Sequence, residues 1–223
     1  PLAKMRLGAS ISTSRPILPP PPPPEPGTSN ALASLDWGSK MSTKSIDVYF
    51  GRAGYQADGI RSEGFSTYEK AQFRKAFDLL ESVADIKFNV VSSSFGADMR
   101  LLMDNGAEMP GLYGYFNPPG ENNAGVGAFN DALLGDGAGS DLDVGGFGFM
   151  VLVHEILHGL GMAHPHDNGG SSSRMIGVTS SRNDFGNYDL GQGLFTTMSY
   201  NPGYHAGPVG TKGDANERWG FNA

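Results

Sequence analysis

Residues 154–165 read His-Glu-Ile-Leu-His-Gly-Leu-Gly-Met-Ala-His-Pro and contain three of the five histidines in the 223-residue chain. Residues four apart on a helix face the same side one turn on, so His154 and His158 can direct both imidazoles at one ion. Gly161 tolerates a positive φ and would end that helix in a sharp turn. The turn can return His164 to the same ion. We therefore predict a metal site with three imidazole ligands.

Three neutral imidazoles are a usual ligand set for zinc, and they leave a fourth position for water, as catalytic zinc sites do. Such an ion lowers the pKa of its water to about 7 and polarises a peptide carbonyl. Glu155 follows the first ligand directly and is placed to take the proton of the water and pass it to a leaving amine. The segment predicts one zinc ion and a hydrolytic reaction with Glu155 as general base.

An ordinary helix that happens to contain His-Glu-x-x-His is the alternative to a metal site. The added glycine and third histidine make this alternative rare. The two remaining histidines, His166 and His205, lie outside the pattern, and we interpret them as loop or surface residues. A supporting role beside the ligands is the less favoured interpretation for them.

The composition narrows the function classes further. Cysteine is absent, which excludes disulfides, thiolate ligands and a cysteine nucleophile. The chain has 16 basic and 23 acidic residues, a net charge of -7 without a basic stripe, so nucleic acid is not an expected partner. Its longest apolar stretch, residues 145–153, is far shorter than the roughly 20 residues of a membrane helix. We expect a monomer that does not insert into membranes.

Proline dominates the first part of the chain, with a run at residues 19–24. That composition favours an extended polyproline conformation and cannot build a core, so we interpret residues 1–30 as an arm or linker. An interaction ligand or a latency segment is the alternative. The chain starts at Pro1 without an apolar signal core, which suggests a processed product. Residues 31–223 would form the catalytic domain.

Hydrophobic periodicity predicts strands and two helices in this domain. Ser45–Phe50 alternates as a strand, and shorter alternating stretches follow at residues 86–90, 99–103 and 126–129. Ser66 and Glu69 form a capping box that begins a helix. Its buried stripe would comprise Phe73, Ala76, Phe77, Leu80 and Val83. Phe147–Leu160 is apolar nearly all round and must be a buried helix. The order predicts an α+β (mixed α/β) domain with a small twisted sheet.

At every defined position, His154 to His164 resembles the signature of the metzincin zinc metalloproteases. The stretch Thr197-Met198-Ser199-Tyr200 is similar to the methionine turn that follows in that superfamily. Together with Pro165, it looks like the serralysin group of secreted bacterial proteases, and the resemblance covers roughly residues 35–205. It implies that Met198 supports the site from below. It also implies that Tyr200 is a fifth zinc ligand that leaves the metal when substrate binds.

The resemblance further implies a secreted endopeptidase that acts on protein or peptide substrates. Metzincins pair the substrate backbone with an antiparallel edge strand, which is a form of β-augmentation. At the corresponding place in this chain stand Gly125, Val126, Gly127, Ala128, Phe129 and Asn130.

Serralysins also continue into calcium-binding glycine and aspartate repeats, whereas this chain ends at Ala223. We expect that such a C-terminal repeat domain was removed or never existed in this relative. Residues 136–141 approach one repeat, so calcium is a second candidate cation, with a flexible glycine loop as the alternative.

Two other classes compete with an active protease. A zinc-containing binding module that has lost activity would usually have its glutamate replaced, and Glu155 is present. An inactive or self-nicked fragment is the third class, kept open by the missing continuation. Cleavage specificity cannot be derived from the sequence, because loops such as residues 120–139 and 169–186 would form the pocket walls.

Overall fold

The structure, a computed structural model, describes residues 31–201 of the chain. The proline-rich arm predicted for residues 1–30 and the loop residue His205 lie outside this range. Within it the elements follow in this order: β1 Ser45–Phe50, β2 Gln56–Ala57, β3 Ile60–Arg61, α1 Thr67–Val83, β4 Lys87–Val91, β5 Met99–Asp104, β6 Gly114–Phe116, β7 Val126–Asn130, α2 Asp131–Leu134 and α3 Phe147–Leu160. No helix in residues 31–201 combines the length and the apolar character that crossing a membrane requires.

Five of the strands form one sheet in the order β4-β1-β5-β7-β6. The pairs β1–β4, β1–β5 and β5–β7 are parallel, and β6 alone runs antiparallel, against β7. Helix α1 connects β1 to its parallel neighbour β4, since parallel strands need a long crossover. The short strands β2 and β3 make a separate hairpin. This mostly parallel sheet with few helices confirms the predicted mixed α/β class and is compatible with a metzincin-like domain.

Helix α1 begins at the predicted capping box. The Ser66 hydroxyl accepts a hydrogen bond from the Glu69 backbone N–H, and the Ser66 N–H donates to the Glu69 carboxylate at 2.6 Å. Phe73 and Phe77 are buried, and the Phe73 ring meets Phe129 of β7 edge-on. Burial of such aromatic side chains holds α1 on the sheet. Val83 does not belong to the predicted stripe, because 77% of it is exposed at the end of the helix.

Helix α3 is buried on nearly all sides, as its composition predicts, with Leu152, Val153 and Ile156 fully enclosed. Strand β6 lies directly against it. A Cβ on Gly159 would overlap the ring of Phe116, and a Cβ on Gly114 of β6 would crowd the Glu155 side chain. The missing side chains let the edge strand approach the helix that contains the predicted ligands.

The prediction that residues 125–130 form the substrate-binding edge strand is wrong. These residues contain β7, which is not an edge strand. It is paired with β5 on one side and with β6 on the other. All five of its residues are buried. A short sequence that contains glycine is also found in exposed edge strands. In β7, however, the missing side chain of Gly127 leaves room for the ring of Phe116. The antiparallel strand at the edge of the sheet is β6, Gly114–Phe116.

A segment before β1 closes the end of α3. The Trp37 N–H donates to the Gly161 carbonyl at 3.0 Å, and the Ala163 N–H donates to the Leu35 carbonyl at 2.9 Å. Gly161 has φ 107°, in the left-handed region, and a Cβ there would overlap the carbonyl oxygen of Ser39. Glycine at 161 is thus required twice, by the turn and by the segment that crosses it.

Replacing Gly161 by Ala should lower the free energy of unfolding by at least about 2 kcal/mol, since both the backbone conformation and the close contact become unfavourable. Thermal and denaturant unfolding measure the change. Gly137→Ala is the matched control, because a Cβ at Gly137 meets nothing within 4 Å. Equal stability of the two variants would contradict this account of the turn.

Candidate metal centre

The three predicted histidine ligands converge on one point. His154 and His158 lie one turn apart on α3, and His164 follows the turn at Gly161. The Nε2 atoms of His154 and His158 are 3.2 Å apart, those of His154 and His164 are 3.1 Å apart, and those of His158 and His164 are 2.9 Å apart. Tetrahedral coordination at about 2.0 Å would separate ligand nitrogens by about 3.3 Å. The spacing therefore fits a zinc ion.

The outward nitrogens of the same rings each face an oxygen atom. His154 Nδ1 lies 2.7 Å from the Thr197 carbonyl, His158 Nδ1 lies 2.8 Å from the Met162 carbonyl, and His164 Nδ1 lies 2.7 Å from Asp167 Oδ2. These oxygens only accept, so each Nδ1 carries the proton and each Nε2 presents a lone pair. Three lone pairs that face one another repel unless a cation lies between them.

The protonation of the histidines also favours metal binding. Burial, reinforced by the charge of the neighbouring imidazoles, lowers the pKa of His154 well below its usual value. Burial lowers the pKa of His158 to about 4. Burial alone would raise the pKa of Asp167, but its hydrogen bond and charge interaction with His164 lower it to about 2. Near neutral pH His154 and His158 are therefore neutral imidazoles, and the Asp167 carboxylate backs His164. Neutral imidazole backed by a carboxylate is a combination that ligates zinc.

Glu155 lies in the same cavity as His158 and His164 and is only 8% exposed. Burial raises the pKa of its carboxyl to about 8. A divalent ion among the neighbouring imidazoles would favour the carboxylate form by its charge. Glu155 is thus a buried carboxyl whose pKa lies near neutral pH. A group that accepts a proton and then returns it needs such a pKa.

The stretch predicted to resemble a methionine turn reaches the site from the other end of the domain. Met198 is fully buried, and its neighbour Thr197 provides the carbonyl that binds His154. The Tyr200 ring centroid lies 4.6 Å from that of His164 and 5.8 Å from that of His154. The phenol is thus beside the three histidines. Desolvation, followed by the charge of Glu155, raises the pKa of Tyr200 to about 12.

Two further residues lie beside the three histidines: Asp167, which was not predicted from the sequence, and His166, for which a supporting role was the less favoured interpretation. Asp167 orients His164, and the His166 ring stacks on His164 with 4.8 Å between centroids and 16° between planes. His166 lies on a loop, as interpreted, but it is not a free surface residue, since its ring lies beside both His164 and Tyr200. The sequence contains one indication of this: two further side chains that can bind a metal or a ligand histidine, His166 and Asp167, follow His164 within three residues.

The structure gives no support to calcium at the glycine loop. Asp143, just beyond residues 136–141, accepts hydrogen bonds from the Tyr68 hydroxyl at 2.7 Å, from Gln72 and from the Gly139 N–H. Its carboxylate is therefore occupied by the loop and by α1. Among residues 31–201, the groups of three convergent ligands all include His164.

A cavity of about 530 Å³ opens beside the three histidines. Glu155 and Tyr200 line it next to the ligands, and β6 forms one of its walls. Residues 166–169, Arg174 and Trp37 also line it. One cavity is thus lined by a candidate metal position, a buried carboxyl and an edge strand.

Comparison with known proteins agrees with this class of site. The chain matches no protein-family model. It is similar to a curated protein, serralysin from Photorhabdus laumondii subsp. laumondii, at 27% identity over 138 residues. The match covers 61% of this chain and 28% of the relative, so the chain spans under a third of that protein's length. The similarity and the three-histidine group together support a protein of the metalloprotease kind.

Asp167→Asn should weaken zinc binding about 10- to 100-fold, because the isosteric amide lacks the charge that holds the His164 tautomer. Competition with a fluorescent chelator measures the affinity. Asp85→Asn is the control, since Asp85 pairs with Lys44 at the surface and not with the histidines. Unchanged zinc affinity in Asp167→Asn would contradict the orienting role of this carboxylate.

Proposed function

We propose that this chain is the catalytic part of a secreted zinc-dependent endopeptidase that hydrolyses peptide bonds in protein substrates. One observation carries the proposal: three imidazole lone pairs converge within 2.9–3.2 Å beside a buried carboxyl in an open cavity. His154, His158 and His164 would hold the ion. A zinc ion there supplies Lewis acidity, which makes water more acidic and polarises a peptide carbonyl.

Glu155 acts as the general base. Its carboxylate accepts a proton from the attacking water and then delivers it to the leaving amine, so that no covalent intermediate with the protein is needed. The burial of Glu155 supports this role, because a carboxyl kept from bulk water has a proton affinity suited to both halves of the transfer.

Strand β6 offers the place where a substrate backbone can bind. The Asn130 N–H donates to the Tyr113 carbonyl, and the Asn117 N–H donates to the Val126 carbonyl, so these residues face β7. Residues alternate in an antiparallel ladder, which turns the backbone groups of Gly114 and Phe116 to the open side. A substrate strand added there would run along the cavity wall beside Glu155.

Tyr200 has two proposed roles, both implied by the resemblance and supported by its place in the cavity. With an ion held by the three histidines, the Tyr200 oxygen would be a further ligand. With substrate in the cavity, the side chain would instead lie away from the ion, and its hydroxyl would donate a hydrogen bond to the oxygen that gains charge in the transition state.

Several wider properties belong to the same proposal. The division into an arm at residues 1–30 and a catalytic domain at 31–223 is one of them. The secreted location, calcium binding and a further C-terminal repeat domain are others, and they rest on the resemblance to serralysins. A zinc-binding module without activity is the competing function, and the experiments below separate it from an enzyme.

Glu155→Gln should reduce the proteolysis of a denatured protein by at least about 100-fold, while zinc content stays at the wild-type level. The amide keeps the shape of the side chain but cannot take a proton. Product mass spectrometry with and without a zinc chelator measures activity and metal dependence together. Glu121→Gln, an exposed change, is the control.

Retained activity in Glu155→Gln would mean that another base is used. Wild-type protein that holds zinc but cleaves no substrate would favour the binding module.

Tyr200→Phe should lower kcat about 10- to 1000-fold and change KM less, because the lost hydrogen bond forms mainly in the transition state. Steady-state kinetics and the visible spectrum of the cobalt-substituted protein provide the readouts. Tyr188→Phe is the control, since Tyr188 does not line the cavity. Near-normal turnover with an unchanged cobalt spectrum would show that Tyr200 only packs beside the ligands.

A further inference from the structure

Arg174 lines the cavity from the loop that follows the third histidine. Its backbone is held on both sides although the side chain is exposed. Ser172 before it is buried and donates to the Gly169 carbonyl through both its N–H and its hydroxyl. Met175 after it is buried, and its N–H donates to the Pro165 carbonyl at 2.8 Å. The backbone directly after Arg174 is thus hydrogen-bonded to Pro165, the residue that follows His164.

The wall that bears Arg174 is fixed against the N-terminal segment. The Ser171 N–H donates to the Trp37 carbonyl at 2.8 Å. Gly169 and Gly170 lie so close to the Trp37 indole that a Cβ on either would overlap it. A loop packed this tightly presents its side chains in a defined place, which reduces the entropy lost when a ligand binds.

Arg174 is the one lysine or arginine among the described residues that line the cavity. The cavity also contains two acids, but Asp167 is engaged by His164 and Glu155 is buried beside the ligands. No ion pair between Arg174 and another described residue occurs in the structure. Arg174 therefore adds to the lining of the cavity a positive charge that forms no ion pair within residues 31–201.

We infer that Arg174 selects substrates that place a carboxylate beside the scissile bond, an inference that rests on the proposed peptidase function. A substrate strand bound along β6 directs alternate side chains toward the helix side, where the cavity lies. Arg174 lines this same cavity together with Gly114 and Phe116 of β6. The guanidinium forms charge-assisted, bidentate hydrogen bonds with a carboxylate, which a neutral amide cannot match.

The test uses internally quenched peptides with blocked ends that differ at one residue. Glu, Gln or Lys is placed in turn at three positions on each side of the scissile bond, and kcat/KM is measured for the zinc-loaded protein. A further Gln peptide with a free C-terminal carboxylate separates a side-chain carboxylate from a terminal one. The variants are Arg174→Gln and Arg174→Glu. Arg74→Gln, which removes the same charge from the exposed face of α1, is the matched control.

Wild type should cleave the Glu peptide about 5- to 20-fold better than the Gln peptide at one position, as expected for a partly exposed charge-assisted pair. Arg174→Gln should bring this ratio to within about 2-fold of unity, and Arg174→Glu should favour Lys at the same position. Arg74→Gln should keep the wild-type ratio. A preference confined to the free-acid peptide, and lost in Arg174→Gln, supports recognition of the terminal carboxylate.

Two results overturn the inference in distinguishable ways. If wild type cleaves the peptides without preferring a carboxylate, or if Arg174→Gln keeps the preference, the role of Arg174 is wrong and the peptidase function stands. If wild type cleaves none of the peptides and no denatured protein, the proposed function fails and the inference fails with it.

Discussion

Three imidazole lone pairs repel one another, and the surrounding chain nevertheless holds them close together. The arrangement of the site depends on this constraint. Hydrogen bonds from the outward ring nitrogens to Thr197, Met162 and Asp167 prevent each ring from turning away. Each partner comes from a different segment: one from the turn after α3, one from the next loop and one from residue 197. The fold keeps an arrangement that is unfavourable without a cation, and this makes it selective for one.

Close packing between α3 and β6 then brings the edge strand beside the candidate metal position. Glycines at 114 and 159 remove the side chains that would otherwise separate strand from helix. The edge of the sheet and the buried Glu155 consequently line one cavity. A larger residue at either glycine would move the edge strand away from the helix that contains His154, Glu155 and His158.

Local patterns were enough to predict part of this arrangement. The spacing of His154 and His158 and the capping box at Ser66 depend on helix geometry alone, and the structure confirms both. The resemblance assigned the edge strand to the wrong segment, Gly125–Asn130, because the order in which strands pair is a long-range property that a local similarity does not contain. Asp167 and Arg174 reach the cavity through loop conformations that sequence periodicity does not encode.

The segment that crosses the end of α3 has a thermodynamic consequence. Leu35 and Trp37 pair with residues 161 and 163, so the backbone that leads to His164 is shaped by chain from the start of the described domain. Docking of this segment and binding of a metal at the three histidines would therefore favour each other. Linkage requires the effect to be reciprocal: whatever factor docking adds to the metal affinity, the metal adds to the docking equilibrium.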